Sequence, residues 1–351
     1  MSDEVGKFSS ETMKNTVLQK LGAKRDEVIV NAAYGTDTAV IQINEDLGMV
    51  VSSDPITLIP GLGMRESALL SVYLTANDLA TSGFAPQYAQ FVLNLPVHLS
   101  KEDFQVYWDY IHEFCKDLGV AITGGHTGKI PGQESTVPGS ATMFLTAPKD
   151  EILTAQGAEA GDQLIMTKVG ALSSTSILAK SFPETVKKEL GEELYEKAVS
   201  NFENISVVQD ALIASRTLKK NVELMAMHDV TEGGILGAAM EMATASGCGI
   251  EINSDKIIVG EEQLRIAALF NLDYREIIGS GSMLIAVKPN HVSKLITALE
   301  KEGISASNIG AFTNEKDHFL MNENGKLKKL IHNEQDPYWA AFFNAFQKGL
   351  K

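Results

Sequence analysis

"VAITGGHTGKIPG", residues 120–132, runs an apolar segment into four glycines and a proline set around His126, Thr127 and Lys129. The run VAITGG reads as a buried strand, and "GSATMFLTA" at 139–147 reads as the strand that follows it. A turn needs one or two glycines, so four indicate backbone brought close to a partner. Gly124 and Gly125 would let backbone N–H groups approach phosphate oxygens, and Lys129 would add charge. Three roles stay open for His126 on chemistry alone: phosphate binding, acid–base work, or filling a hydrogen-bonded niche.

Outward from this stretch, strands and helices alternate. A helix is expected over 9–24, opened by Ser9 or Ser10, and short β-rich runs at "EVIVNA" and "TAVIQI". "GMVVSSDPITL" (48–58) reads as a strand stopping at Asp54-Pro55, because the residue before proline favours extended backbone. Helices are expected over 64–83 and 101–118, with the strand "PQYAQFVLNLPV" between them. "AQGAEAGDQL" (155–164) has the small residues and glycines of a joint. Beyond it, helices are expected at 172–181, 184–198, 202–219, 233–246 and 291–302, and strands near 222–227, 248–253, 282–287 and 306–313. The pattern implies an α/β architecture in two domains, 1–150 and 151–351. No internal repeat interrupts it.

The 351 residues carry 30 basic and 45 acidic side chains, a net charge of −15. That excess argues against non-specific nucleic-acid binding, which needs phosphate neutralisation. It leaves room for a nucleotide held through a divalent cation. No apolar run approaches the ~18 residues of a membrane span, and the polar start "MSDEVGKFSSETMKN" is unlike a signal peptide, so a cytoplasmic protein is expected. Cys115 and Cys248 form neither a metal spacing nor a disulfide framework and read as small buried residues. The tail "PYWAAFFNAFQKGLK" places aromatic residues at helical spacing, for docking on the core or for binding a partner.

Three aspartates stand where charge is unexpected: Asp37 in "YGTDTAVI", Asp54 in "VVSSDP" and Asp78 in "TANDLATSG". Each alone could be a turn or cap residue. Together they offer hard oxygen donors suited to magnesium, which takes its remaining ligands from water and phosphate. A second glycine site, "MHDVTEGGILGAAMEMA" (227–243), joins an apolar strand to a helix starting near Gly233-Gly234. A helix N-terminus there would be a ready anion site, with Asp229 or Thr231 able to cap it. "TKVGALSSTSILA" (167–179), with Lys168 and the hydroxyls of Ser173, Ser174, Thr175 and Ser176, is a weaker third junction. "GSGS" at 279–282 reads as a turn.

In this order the segments resemble the aminoimidazole ribonucleotide synthetase-like (PurM-like) superfamily over about residues 17–325. "GTDTAVI" and "VSSDPI" look like its two acidic strand motifs, "NDLATSGFAPQY" like its asparagine–aspartate helix, "TGGHTGKIPG" like its fourth motif and "HDVTEGGI" like its substrate-domain motif. The hydrogenase expression/formation branch is the most similar. The resemblance implies an N-terminal α/β domain that binds ATP and pairs with its copy in a barrel-like homodimer, and a C-terminal α/β domain packed on it. It implies ATP and Mg2+ as cofactors, Asp37, Asp54 and Asp78 as metal ligands, and Asn77, Gly124, Gly125, His126 and Thr127 as nucleotide contacts, with Lys129 beside them. Asp229, Thr231, Gly233 and Gly234 would face phosphate or substrate, and His126 and Asp229 are the candidate catalytic residues.

Two departures shape the expected activity. His126 stands where most branches place a carboxylate. No cysteine follows Cys248 or precedes Cys115, so neither the cysteine-tailed cyanide-forming chemistry nor the reactive-cysteine selenophosphate chemistry is expected. The reading is an ATP- and Mg-dependent enzyme that activates a small-molecule oxygen by phosphorylation and releases ADP. Alternatives are a kinase resembling thiamine-monophosphate kinase, although Gly35-Thr36-Asp37 lacks that branch's paired aspartates, and a non-catalytic nucleotide-binding factor with a maturation partner protein.

Overall fold

A computed structural model of the chain describes residues 6–331 and 335–351. The first five residues of the polar N-terminal stretch lie outside the described residues. The first half runs α1 (Ser10–Thr16), β1 (Val28–Val30), β2 (Ala39–Gln42), β3 (Leu47–Ile56), α2 (Met64–Ala80), β4 (Tyr88–Pro96), α3 (Lys101–Asp117), β5 (Ala121–Ile130) and β6 (Gly139–Pro148). Its six strands form one sheet in the order β1-β2-β3-β6-β4-β5, antiparallel except for the β4–β5 pair. Period-two alternation buries Val50, Ser52 and Ile56 of β3, Ala89, Phe91 and Leu93 of β4, and Ala141, Met143 and Leu145 of β6 on one face. There α2 and α3 pack. The opposite face carries Met49, Val51, Tyr88, Val92 and Phe144, half-buried or exposed, with the Tyr88 and Phe144 rings stacked at 5.2 Å.

The second half runs β7 (Gln163–Thr167), α4 (Leu172–Ser181), α5 (Pro183–Leu190), α6 (Glu192–Ser200), α7 (Val208–Thr217), β8 (Leu224–Asp229), α8 (Gly234–Ala245), β9 (Gly249–Asn253), α9 (Glu261–Leu269), β10 (Met283–Val287), α10 (Val292–Lys301), β11 (Ala306–Thr313), β12 (Phe319–Glu323), β13 (Lys326–Lys329) and α11 (Pro337–Gln347). Its seven-stranded sheet has the order β13-β12-β9-β11-β7-β10-β8, with only β12–β9 parallel. Buried strands here read as continuous apolar runs because both faces are covered. Met283, Ile285 and Val287 of β10 join a core shared with the first sheet. Leu284 and Ala286 turn to a second core with α8. This is a mixed α/β architecture with one sheet in each half of the chain.

Helix α2 explains its own lack of amphipathicity. It is wedged between the first sheet, α3, α7 and β8, so apolar and small residues are buried around nearly all of it. Strand β3 passes the expected stop at Asp54-Pro55 and ends at Ile56. β2 pairs with it only from Gly48 to Val51, so at Pro55 the strand has a neighbour on one side only and the missing N–H is tolerated. The helix expected over 9–24 is confined to 10–16. The one expected over 184–198 is broken at Gly191, φ 93°, into α5 and α6.

Candidate functional site

Four expected residues come together. Asp37 lies in the loop before β2, Asp54 near the end of β3, Asp78 in the last turn of α2 and Asp229 at the end of β8. Asp37, Asp54 and Asp78 are half-buried, and Asp229 is 2% exposed. The Ser52 hydroxyl donates to Asp78 Oδ2 at 2.7 Å. Loss of solvent, then the neighbouring charges of Asp229, Asp54 and Asp37, raise the Asp78 carboxyl well above the ordinary carboxylate range. Burial, then Asp37, outweigh the favourable His228 and push Asp229 up to about 8. Burial and Glu232 push Asp54 to about 7, against the pull of Lys7. These carboxylates repel one another in a low-dielectric pocket.

Three residues absent from the sequence reading complete the cluster. At the end of β8, alternation sends His228 towards α8 and Asp229 towards α2: His228 pairs across from Leu284 and Asp229 from Met283. His228 Nδ1 lies 3.2 Å from Asp37 Oδ2 and its Nε2 lies 3.3 Å from Glu241 Oε2 on α8. Lys7 Nζ reaches the other Glu241 oxygen at 2.9 Å. Burial opposes charge on His228, but Asp37 and Glu241 outweigh it and raise the imidazole well above its usual value. Burial likewise opposes the Glu241 charge, yet His228 and Lys7 hold that carboxyl down at about 2. Glu241, in "AAMEMA", carried the same signal as Asp78: a charge on an apolar helix. His228 was adjacent to an assigned residue. Lys7 carried no signal.

The glycine stretch is a correction. It is an extended, exposed edge strand, β5, rather than a phosphate loop. Asp54, Ala141, Phe91 and Gly125 stand on one rung of the sheet. Three inter-strand spacings of ~4.8 Å put Gly125 roughly 14 Å from Asp54. His126 pairs with Val92 and Thr127 with Leu93, so the two point to opposite faces and His126 faces away from the Asp54 side. A Cβ on Gly125, φ 138°, would sit 1.8 Å from the Phe91 carbonyl oxygen, whereas one on Gly124 would meet open space. The close approach at Gly125 is therefore to β4. Lys129 donates to the Val97 carbonyl at 3.2 Å and to that of Leu99.

Asn77 is a second correction. It is fully buried: Nδ2 donates to the Ile205 carbonyl and Oδ1 accepts from the Val207 amide, each at 2.8 Å, so both ends of the amide hold the loop before α7 rather than a nucleotide. A third concerns the start of α8. Neither Asp229 nor Thr231 caps it; Gly233, φ 81°, occupies the cap position, and its amide donates to Asp336 Oδ2 at 2.8 Å. The Gly234 amide turns back to the Thr231 carbonyl at 3.2 Å. The expected anion site thus holds the chain's own carboxylate. Lys168 binds Asp210 at 2.9 Å and the Ser206 carbonyl, a structural knot. The 279–282 segment is the expected turn, with the Val230 amide on the Ser282 carbonyl at 3.0 Å. Cys115 and Cys248 are free and buried.

The residues fit a divalent cation. Asp37 Oδ2 and both Asp229 oxygens are buried without a hydrogen-bond partner, although hard oxygen donors surround them. Among the described residues no helix is long and apolar enough to cross a membrane.

Residues 35–145 match the family model described as AIR synthase related protein, N-terminal domain, and residues 159–321 the corresponding C-terminal domain. The chain is 30% identical over 324 residues to the selenide, water dikinase of Methanococcus maripaludis, covering 86% of this chain and 92% of that one. It is 26% identical over 324 residues to a putative hydrogenase expression/formation protein of Methanocaldococcus jannaschii, covering 88% and 89%. In fold it is similar to a chain of a HypE–HypF complex, with a TM-score of 0.72, 16% identity and coverage of 92% and 99%. It is also similar to a ThiL protein complexed with AMPPCP and TMP, with a TM-score of 0.65, 16% identity and coverage of 92% and 94%.

Proposed function

The chain belongs to the AIR synthase related protein family, and we propose that it is an ATP- and divalent-metal-dependent enzyme that phosphorylates an oxygen of a small molecule and releases ADP. The convergence of Asp37, Asp54, Asp78 and Asp229 in one carboxylate cluster carries this reading. Four carboxylates cannot hold a triphosphate by themselves. A bound magnesium ion would supply the charge that screens the phosphates there. The chain's own part is to hold that charge in place. Asp37, Asp54 and Asp78 would supply oxygens from a loop, a strand and a helix, the Ser52 hydroxyl fixes the rotamer of Asp78, and Asp229 joins the same cluster as the candidate catalytic carboxylate. Relatives with "dikinase" in their name and a structural neighbour complexed with AMPPCP support nucleotide use. His126, Asn77 and Lys129 have no part in it within one chain.

The test is calorimetry of Mg-ATP with the full chain, followed by ADP release against a panel of small-molecule acids, amides and alcohols. Binding in the micromolar range that disappears in Asp54→Asn is the expected result. A folded protein that binds no nucleotide with or without magnesium would end the proposal. A non-catalytic role with a protein partner has one observation behind it: Phe346 on α11 is 71% exposed and Phe343 46%. ATP binding without ADP release, whatever the acceptor, would favour that role. The homodimer, the division at residue 150 and a cytoplasmic site of action belong to the same proposal.

A further inference from the structure

His228 Nδ1 lies 3.2 Å from Asp37 Oδ2 and 4.0 Å from Asp229 Oδ1, and one ligand atom from each of the three residues lies within 4.8 Å of the other two. His228 and Asp229 are each 2% exposed, and both Asp229 oxygens and both imidazole nitrogens lack an aligned hydrogen-bond partner. Such atoms are costly to bury unless something binds them. The imidazole is also oriented from behind. Its Nε2 faces Glu241 Oε2 at 3.3 Å, and the other Glu241 oxygen is held by Lys7 at 2.9 Å. A carboxylate behind the far nitrogen is the arrangement that orients metal-bound histidines, and a cation seated between Nδ1 and Asp37 Oδ2 would displace the proton that those two atoms share across 3.2 Å in its absence. Magnesium favours an all-oxygen shell, whereas manganese, cobalt and zinc accept imidazole nitrogen.

We infer that Asp37, His228 and Asp229 form a mixed nitrogen–oxygen site that selects a first-row transition ion over magnesium, with Glu241 and Lys7 as positioning residues. The inference deepens the reading above, resting on this pocket as a cation site, but it requires no nucleotide.

The experiment titrates Co2+, Mn2+ and Mg2+ separately into the chelator-treated full chain without nucleotide. It reads affinity by calorimetry and, for Co2+, the visible ligand-field bands. Co2+ and Mn2+ bind at least about tenfold more tightly than Mg2+. His228→Gln weakens Co2+ by about 10- to 100-fold and changes its bands, while Mg2+ affinity moves less than about threefold. Glu241→Gln keeps the imidazole and serves if the first variant does not fold; it weakens Co2+ by about tenfold. Co2+ affinity and bands unchanged in a folded His228→Gln, or Mg2+ binding as tightly as Co2+, overturns the site. Mg-ATP binding measured alongside separates the two ideas. An unchanged Co2+ response in His228→Gln with Mg-ATP binding intact removes this inference alone. A His228-dependent Co2+ site in a chain that binds no nucleotide upholds it and removes the ATP reading.

Discussion

The Oδ1 atom of Asn77 accepts from the Val207 amide at 2.8 Å, joining the central helix of the first half to the loop that starts α7 in the second. With Nδ2 on the Ile205 carbonyl, one side chain satisfies two buried backbone groups 128 and 130 residues away. Asn77→Ala strands both, so it lowers unfolding stability by about 2–4 kcal/mol in urea titration. A variant as stable as the parent would show that the latch carries nothing.

Asp78→Asn separates charge from shape. The Ser52 hydroxyl still has an amide oxygen to donate to, and repulsion with Asp229, Asp54 and Asp37 falls. The melting temperature therefore stays level or rises, while calorimetry shows Mg-ATP affinity reduced at least about tenfold. Equal affinity in the folded variant would remove Asp78 from the metal ligands.

Asp336 gives the pH dependence a sign. Burial pushes its carboxyl up to about 6 from 3.8, against the Gly233 and Tyr338 amides that favour the charge. The folded chain thus keeps a proton that the unfolded chain has lost between about pH 4 and 6, so this group's contribution to stability falls as pH rises through that window. A shift of this size corresponds to about 3 kcal/mol. In paired denaturant titrations at pH 4.5 and 7, the parent loses more stability on going to pH 7 than Asp336→Asn does. Parallel slopes for the two would contradict the burial argument.

Gly125→Ala tests why the glycine stretch is glycine. Its methyl group would overlap the Phe91 carbonyl, while the space at Gly124 is open. The Gly125 variant costs more than about 2 kcal/mol, clearly more than Gly124→Ala, and speeds amide exchange along β5. Equal effects would point back to a ligand rather than to β4.

The helix-free face of the first sheet tests the dimer. Val92, 37% exposed, lies on this face with half-buried Val51 and Phe144. Light scattering at micromolar concentration should give twice the chain mass, and Val92→Glu should return it to one chain with the fold retained. A monomeric parent would contradict the expectation.

Most elements were legible because they obey local rules. Residues 172–181 and 306–313 form the expected helix and strand at the expected bounds. The missing cases also have local causes: α9 begins after Gly260, which has no side chain to cap it, β12 is only five residues long, and β13 is a short polar strand at the sheet edge. Sequence alone determined the alternation of strands and helices, the family and the three aspartates, because a charge on an apolar run stands out in one dimension. Tertiary structure alone decided what each residue faces. It turned the glycine stretch into an edge strand, closed Asn77 inside a domain junction and set Asp336 on the helix start expected to bind an anion. It also brought Lys7, His228 and Glu241 beside Asp37. The reason is physical: a side chain's partner depends on strand register and helix packing over separations of a hundred residues or more, which periodicity does not encode.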